Sequence, residues 1–86
     1  MSIYEFLNQD FVNQHDRYEL VDRDEKRIIF DIGVNILMDA SIYDFLDCDI
    51  YHLISSLYFD TKTQQMKSCI YIMVDCYKEE VLREVK

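Results

Sequence analysis

The 86-residue sequence contains no proline and no tryptophan, and Gly33 is its only glycine. A single glycine excludes the glycine-rich loops that cradle nucleotide phosphates, which need several positions where backbone meets ligand without a Cβ in the way. Lysine and arginine are missing from residues 28 to 61, a stretch that holds Asp31, Asp39, Asp44, Asp47, Asp49 and Asp60. Those 34 positions carry −6 of the net −8, while the other 52 residues, with eleven carboxylates and nine bases, nearly balance. No apolar run approaches the ~20 residues of a membrane-crossing helix. Met1 to Phe11 lacks the basic start and continuous apolar centre of a signal peptide. Cys48, Cys69 and Cys76 are odd in number and lack paired metal-ligand spacing. They are therefore expected to be reduced thiols in a cytoplasm, that of a host cell if the chain is viral.

What is present suits a small folded unit. Half of the residues are hydrophobic and 14% are aromatic, which is too apolar for a disordered chain. Ten isoleucines, seven tyrosines and five phenylalanines can fill a core, and the length fits one domain spanning residues 1–86. The favoured residues (Ile, Lys, Asn, Tyr, Phe, Met) have A/T-rich codons, pointing to an AT-rich genome such as that of a phage, another virus or a low-GC bacterium.

The periodicity predicts an α+β fold. Ser2 and Glu5 have capping-box spacing, and Ile3, Leu7 and Phe11 repeat every four residues, so a helix is expected over about 3–14. Asp22 to Lys26 is wholly charged and reads as a turn. Ile28, Phe30, Ile32, Val34, Ile36 and Met38 take every even position, predicting a strand over 27–38 paired as a hairpin with 18–22. Ile42, Phe45 and Leu46 suit a helical face, and Ile50, Leu53, Ile54 and Leu57 fit the i, i+3, i+4, i+7 pattern. One continuous helix would bury Asp49, so a break near 47–49 is expected, with Asp47 or Asp49 capping a second helix over about 50–58. The alternative is a strand over 54–59 pairing with 64–75. Met66 to Cys76 alternates and is apolar on part of its second face, as in a central strand; Lys78 to Lys86 suits a short terminal helix. The order α-β-β-α-(α)-β-α implies a three- to four-stranded, mainly antiparallel sheet with helices packed on one face.

The candidate site is the group Tyr43, Asp44, Asp47, Asp49 and Tyr51. On a helix Asp44, Asp47, Cys48 and Tyr51 would share a face. Carboxylates imitate phosphates and tyrosines add rigid amphipathic area, so this group fits a partner-binding patch; helix capping and an ordinary solvated face account for the same residues. Cys48 and His52 have a two-ligand spacing on a helix, but a structural zinc site needs four ligands. Neither a catalytic residue set nor a metal or cofactor site is expected. A net charge of −8 opposes direct binding to nucleic acid or anionic membranes and favours a basic partner, although it also serves solubility. The reading reached is a non-catalytic, acidic protein-binding domain. It would be a viral or phage inhibitor of the anti-restriction or anti-CRISPR type, mimicking nucleic acid and blocking a host nucleic-acid-binding enzyme. The alternatives are a self-associating structural or accessory subunit, and an antitoxin or immunity protein that neutralises a basic toxin. For a sheet-to-sheet homodimer, Asp31 and Asn35 would be the covered residues.

Overall fold

A computed structural model describes residues 1–9, 12–13 and 15–84. The elements run α1 (Ile3–Leu7), β1 (Arg17–Val21), β2 (Arg27–Ile32), α2 (Gly33–Met38), a 3-10 helix (Ala40–Phe45), β3 (Ile50–Asp60), β4 (Gln65–Val74) and α3 (Lys78–Glu84). The four strands form one sheet in the order β2-β1-β4-β3. The fold is α+β with a mixed sheet: β1–β2 and β3–β4 are antiparallel, and β1–β4 is parallel.

The first helix starts where the capping box places it. Ser2 Oγ accepts from the Glu5 N–H at 3.1 Å, and the Glu5 carboxylate accepts from the Ser2 N–H at 3.3 Å. The helix expected over 3–14 is cut short: it closes at Asn8, and Gln9, Val12 and Asn13 are not helical, while Phe11, and Val85 at the other end, lie outside the described residues. The 22–26 turn joins β1 to β2 as expected, with Glu25 at φ 62°.

Two further expectations are overturned. The strand predicted over 27–38 stops at Ile32, and Gly33–Met38 is helical. The last β1–β2 pair is Arg17 with Ile32, so residues beyond Ile32 have no strand beside them, and a helix satisfies their backbone internally. Asp31 assists the switch: its Oδ1 accepts from the Ile32 N–H at 2.7 Å and from Asn35 Nδ2 at 3.0 Å. The helix predicted over 50–58 is instead the long strand β3, as in the alternative reading, and β4 lies centrally between β1 and β3. Asp49 therefore caps no helix. Its carbonyl accepts from the Asp75 N–H at 2.7 Å, and it bridges to Ser2.

Side chains from α1, α2 and the 3-10 helix (Ile3, Phe6, Leu7, Ile36, Ile42, Phe45) share one hydrophobic cluster with Tyr18, Leu20, Ile72 and Val74 of the sheet. At roughly 1.5–3 kcal/mol per fully buried large side chain, this cluster is the main source of stability. Asp22 is the one buried charged residue among those described, at 1% exposure. Its Oδ1 accepts from the N–H groups of Asp24 and Lys26, both at 2.9 Å, and its Oδ2 from the Lys78 N–H at 2.8 Å. It thus joins the β1–β2 turn to the start of α3. Among the described residues, no helix is long and apolar enough to cross a membrane.

Candidate functional site

The five residues singled out in the sequence lie on three different local structures. Tyr43 and Asp44 stand on the 3-10 helix, whose start Asp39 caps by accepting from the Ser41 N–H at 2.9 Å. That bond, with a second from the Ser41 hydroxyl, holds the Asp39 carboxyl below its ordinary value. Asp47 lies in the turn that follows, Asp49 just before β3, and Tyr51 at its start. All five are exposed. The helical face proposed for Asp44, Asp47, Cys48 and Tyr51 does not form, because the 3-10 helix ends at Phe45 and Cys48 turns half inward. His52 sits on a strand, so its helical pairing with Cys48 is lost as well.

Cys48 lies against Cys76, and the two thiols hydrogen-bond. Burial pushes the Cys76 thiol up to about 12, with the Cys48 thiol, Asp22 and Asp75 adding to the rise. Burial likewise raises Cys48, helped by the negative charges of Asp47, Asp49 and Asp75. Three exposed carboxylates thus surround one half-buried thiol, and Asp75 joins the acidic group from the far end of the chain. It does so through the β3–β4 pairing, which continues past Ile50 and Val74 to bring Asp49 and Asp75 together.

Arg23 also enters this end. Its guanidinium lies 3.8 Å from the centre of the Tyr51 ring and 2.6 Å from Asp75 Oδ1. The hydrogen bond to Asp75 raises the Arg23 pKa further. A patch that is free of bases along the sequence is therefore partly neutralised in space, and Tyr51 is stacked under a cation. Asp49 faces the Met1 amine at 3.9 Å. Asp44 and Asp47 have no ion-pair partner among the described residues. The sequence signal for Arg23 and Asp75 was available only through the strand register, because 52 positions separate them.

The other end of the sheet differs in character. Arg17 is flanked by Phe30 and Tyr58, 5.3 and 5.6 Å from the ring centres, at a cavity of about 260 Å³ that Lys62 also lines. A second cavity of about 220 Å³ opens between Phe6, Tyr18, Leu53 and Ile70. Among the described residues, no group of three or more His, Cys, Asp or Glu side chains is arranged to hold a metal ion. Comparison of the chain with protein-family models, with curated proteins and with solved structures finds no match in any of the three.

Proposed function

We propose that the chain works by binding another protein and without catalysis, its acidic end entering a basic surface that otherwise holds nucleic acid. The observation that carries this reading is the exposure of Asp44 and Asp47 without an ion-pair partner among the described residues, with exposed Tyr43 beside Asp44 and with Asp47, Asp49 and Asp75 grouped about Cys48. Unpaired carboxylates keep their full field, which steers a basic partner in. Tyr43 supplies rigid contact area at low entropic cost. Arg23 narrows the patch: Tyr51 serves it as a stacking platform, and the contact surface centres on Tyr43, Asp44 and Asp47 with Asp49 at its margin. On this reading the helices cover one face of the sheet and present the acidic turn at its end. The protein then acts as a decoy for a host defence nuclease, in a cytoplasm where its three thiols stay reduced.

The test is displacement of labelled duplex DNA from purified restriction endonucleases and RNA-guided nucleases, followed by fluorescence anisotropy as salt is varied. The expected result is displacement that weakens from 50 to 300 mM salt, because exposed charge pairs are screened over about 8–10 Å. It should weaken at least tenfold in the triple variant Asp44→Asn, Asp47→Asn, Asp49→Asn. Displacement indifferent to both salt and the triple substitution, or no displacement from any of these enzymes, overturns the reading.

A further inference from the structure

The strand β3 has an open side. It is the edge of the sheet, eleven residues long, and β4 occupies only its inner side. At its beginning the outer side is taken by the N-terminal segment: the Ile50 N–H donates to the Met1 carbonyl at 2.8 Å, and the Ile3 N–H donates to the Cys48 carbonyl at 3.0 Å. Among the described residues, the free edge therefore runs from His52 to Asp60, with Ser56 at its middle. A long, uncharged edge is a template for another strand unless charge, proline or a bulge blocks it. Here the bulge lies at Ile50–His52, before the free part, and residues 50–59 carry neither a Lys, Arg, Asp or Glu nor a proline.

The side chains along this edge are apolar on both faces. The register places Leu53, Ser55, Leu57 and Phe59 on the face of Ile72, and Ile54, Ser56 and Tyr58 on the other. Leu53 and Ile54 are each 44% exposed, Leu57 64%, Phe59 52% and Met66, opposite Phe59, 58%. Charge distribution selects what can cover them. Residues 50–74 hold Asp60, Lys62 and Lys67, a sum of +1, which leaves −9 on the other 61 residues. The β3–β4 hairpin thus carries none of the net negative charge by which a second copy of so acidic a chain would be repelled.

We propose that the open edge of β3 pairs antiparallel with the same edge of a second copy, about a twofold axis at Ser56, joining two four-stranded sheets into one of eight. The twofold relates like faces, so opposed residue numbers must sum to an even value; centring on the free edge makes that sum 112. Leu53 then faces Phe59 of the second copy, Ile54 faces Tyr58, and Ser56 faces itself. These are aliphatic–aromatic and hydroxyl pairs of the kind that stabilise antiparallel sheets. His52 meets Asp60, and the turn carrying Lys62 reaches the Asp49 end of the other molecule. Asp44 and Asp47 lie outside the paired edge, so the dimer stands independently of the acidic decoy reading.

Sedimentation equilibrium of the full chain from 5 to 500 µM tests it. The expected species has twice the 10.4 kDa chain mass, about 20.8 kDa. Leu57→Lys and Ile54→Lys, both at exposed positions on opposite faces, should each weaken association at least tenfold while leaving the circular dichroism spectrum unchanged. Hydrogen exchange then locates the contact: amides within 52–60 should slow with rising wild-type concentration and stay fast in the lysine variants. A monomer across the whole range overturns the proposal. So does a dimer that survives both lysine substitutions with 52–60 unprotected. Asp44→Asn with Asp47→Asn should leave the dimer intact, which separates failure here from failure of the decoy reading.

Discussion

Asp22 offers the sharpest test of the folded structure, because one buried carboxylate serves two distant segments. Asp22→Asn keeps its size and retains an oxygen for the Asp24 and Lys26 amides, but it turns an NH2 group toward the Lys78 N–H. One charge-assisted hydrogen bond is lost and two donors are left facing each other. At about 1.5–3 kcal/mol for a bond to a charged group, a loss near 2 kcal/mol is expected. For a domain of this size, each kcal/mol moves Tm by about 4–8 °C, so the fall should be about 8–16 °C. The pH dependence adds a second, independent mark. Burial pushes the Asp22 carboxyl up, but the amides of Lys78, Lys26 and Asp24, together with the Lys26 charge, outweigh it and the net shift is downward. A carboxyl whose folded value lies below its unfolded value of about 3.9 stabilises fully above that value. The contribution fades as pH falls through the folded value. The gap between wild type and Asp22→Asn, measured by thermal melts at pH steps from 7 to 2, should be constant above about pH 5 and narrow below pH 4. A Tm change under about 2 °C at pH 7, or a gap that stays constant to pH 2, would refute the reasoning.

Other perturbations follow from the same structure. Ile72→Ala in the central strand, at a fully buried position, should cost about 2–5 kcal/mol in urea unfolding; a loss under 1 kcal/mol would mean that the cluster around it is not the core. Glu25→Gly should raise stability by about 0.5–1 kcal/mol in the same assay, since φ 62° costs any residue with a Cβ; a net loss would show that the Glu25 side chain contributes more than the backbone strain takes away. Cys76, its thiol raised to about 12 by burial and by Cys48, should react with iodoacetamide at pH 8 at least tenfold more slowly in the folded protein than in urea. Mass spectrometry of the labelled peptides checks this, and equal rates would contradict the assigned burial.

The sequence was most readable where local chemistry acts alone. The Ser2–Glu5 capping box, the charged turn after Val21 and the alternating run of β4 each appear where their spacing places them. It misled where a neighbour decides. Val34, Ile36 and Met38 alternate as a strand does, yet Met38 projects into solvent and the segment is helical because β1 reaches no further than Arg17, beside Ile32. Leu53, Ile54 and Leu57 have helical spacing because β3 is apolar on both faces, which erases the period-two contrast. The acidic group was legible as charge but not as a place. Arg23 and Asp75 reach it through the sheet, and no spacing within residues 43–51 announces them.

The parallel pairing of β1 with β4 bears on how the molecule assembles. Tyr18 and Ile70, partners in that ladder, are 52 positions apart, whereas each antiparallel hairpin closes over a short turn. Loop-closure entropy lets the two hairpins form early and independently, and makes their union the slow, non-local event. The seam between β1 and β4 is thus the late step of folding. Until it closes, β4 offers a second unpaired side along Ile70 to Met73, and the nascent chain is most prone to pair with the wrong neighbour.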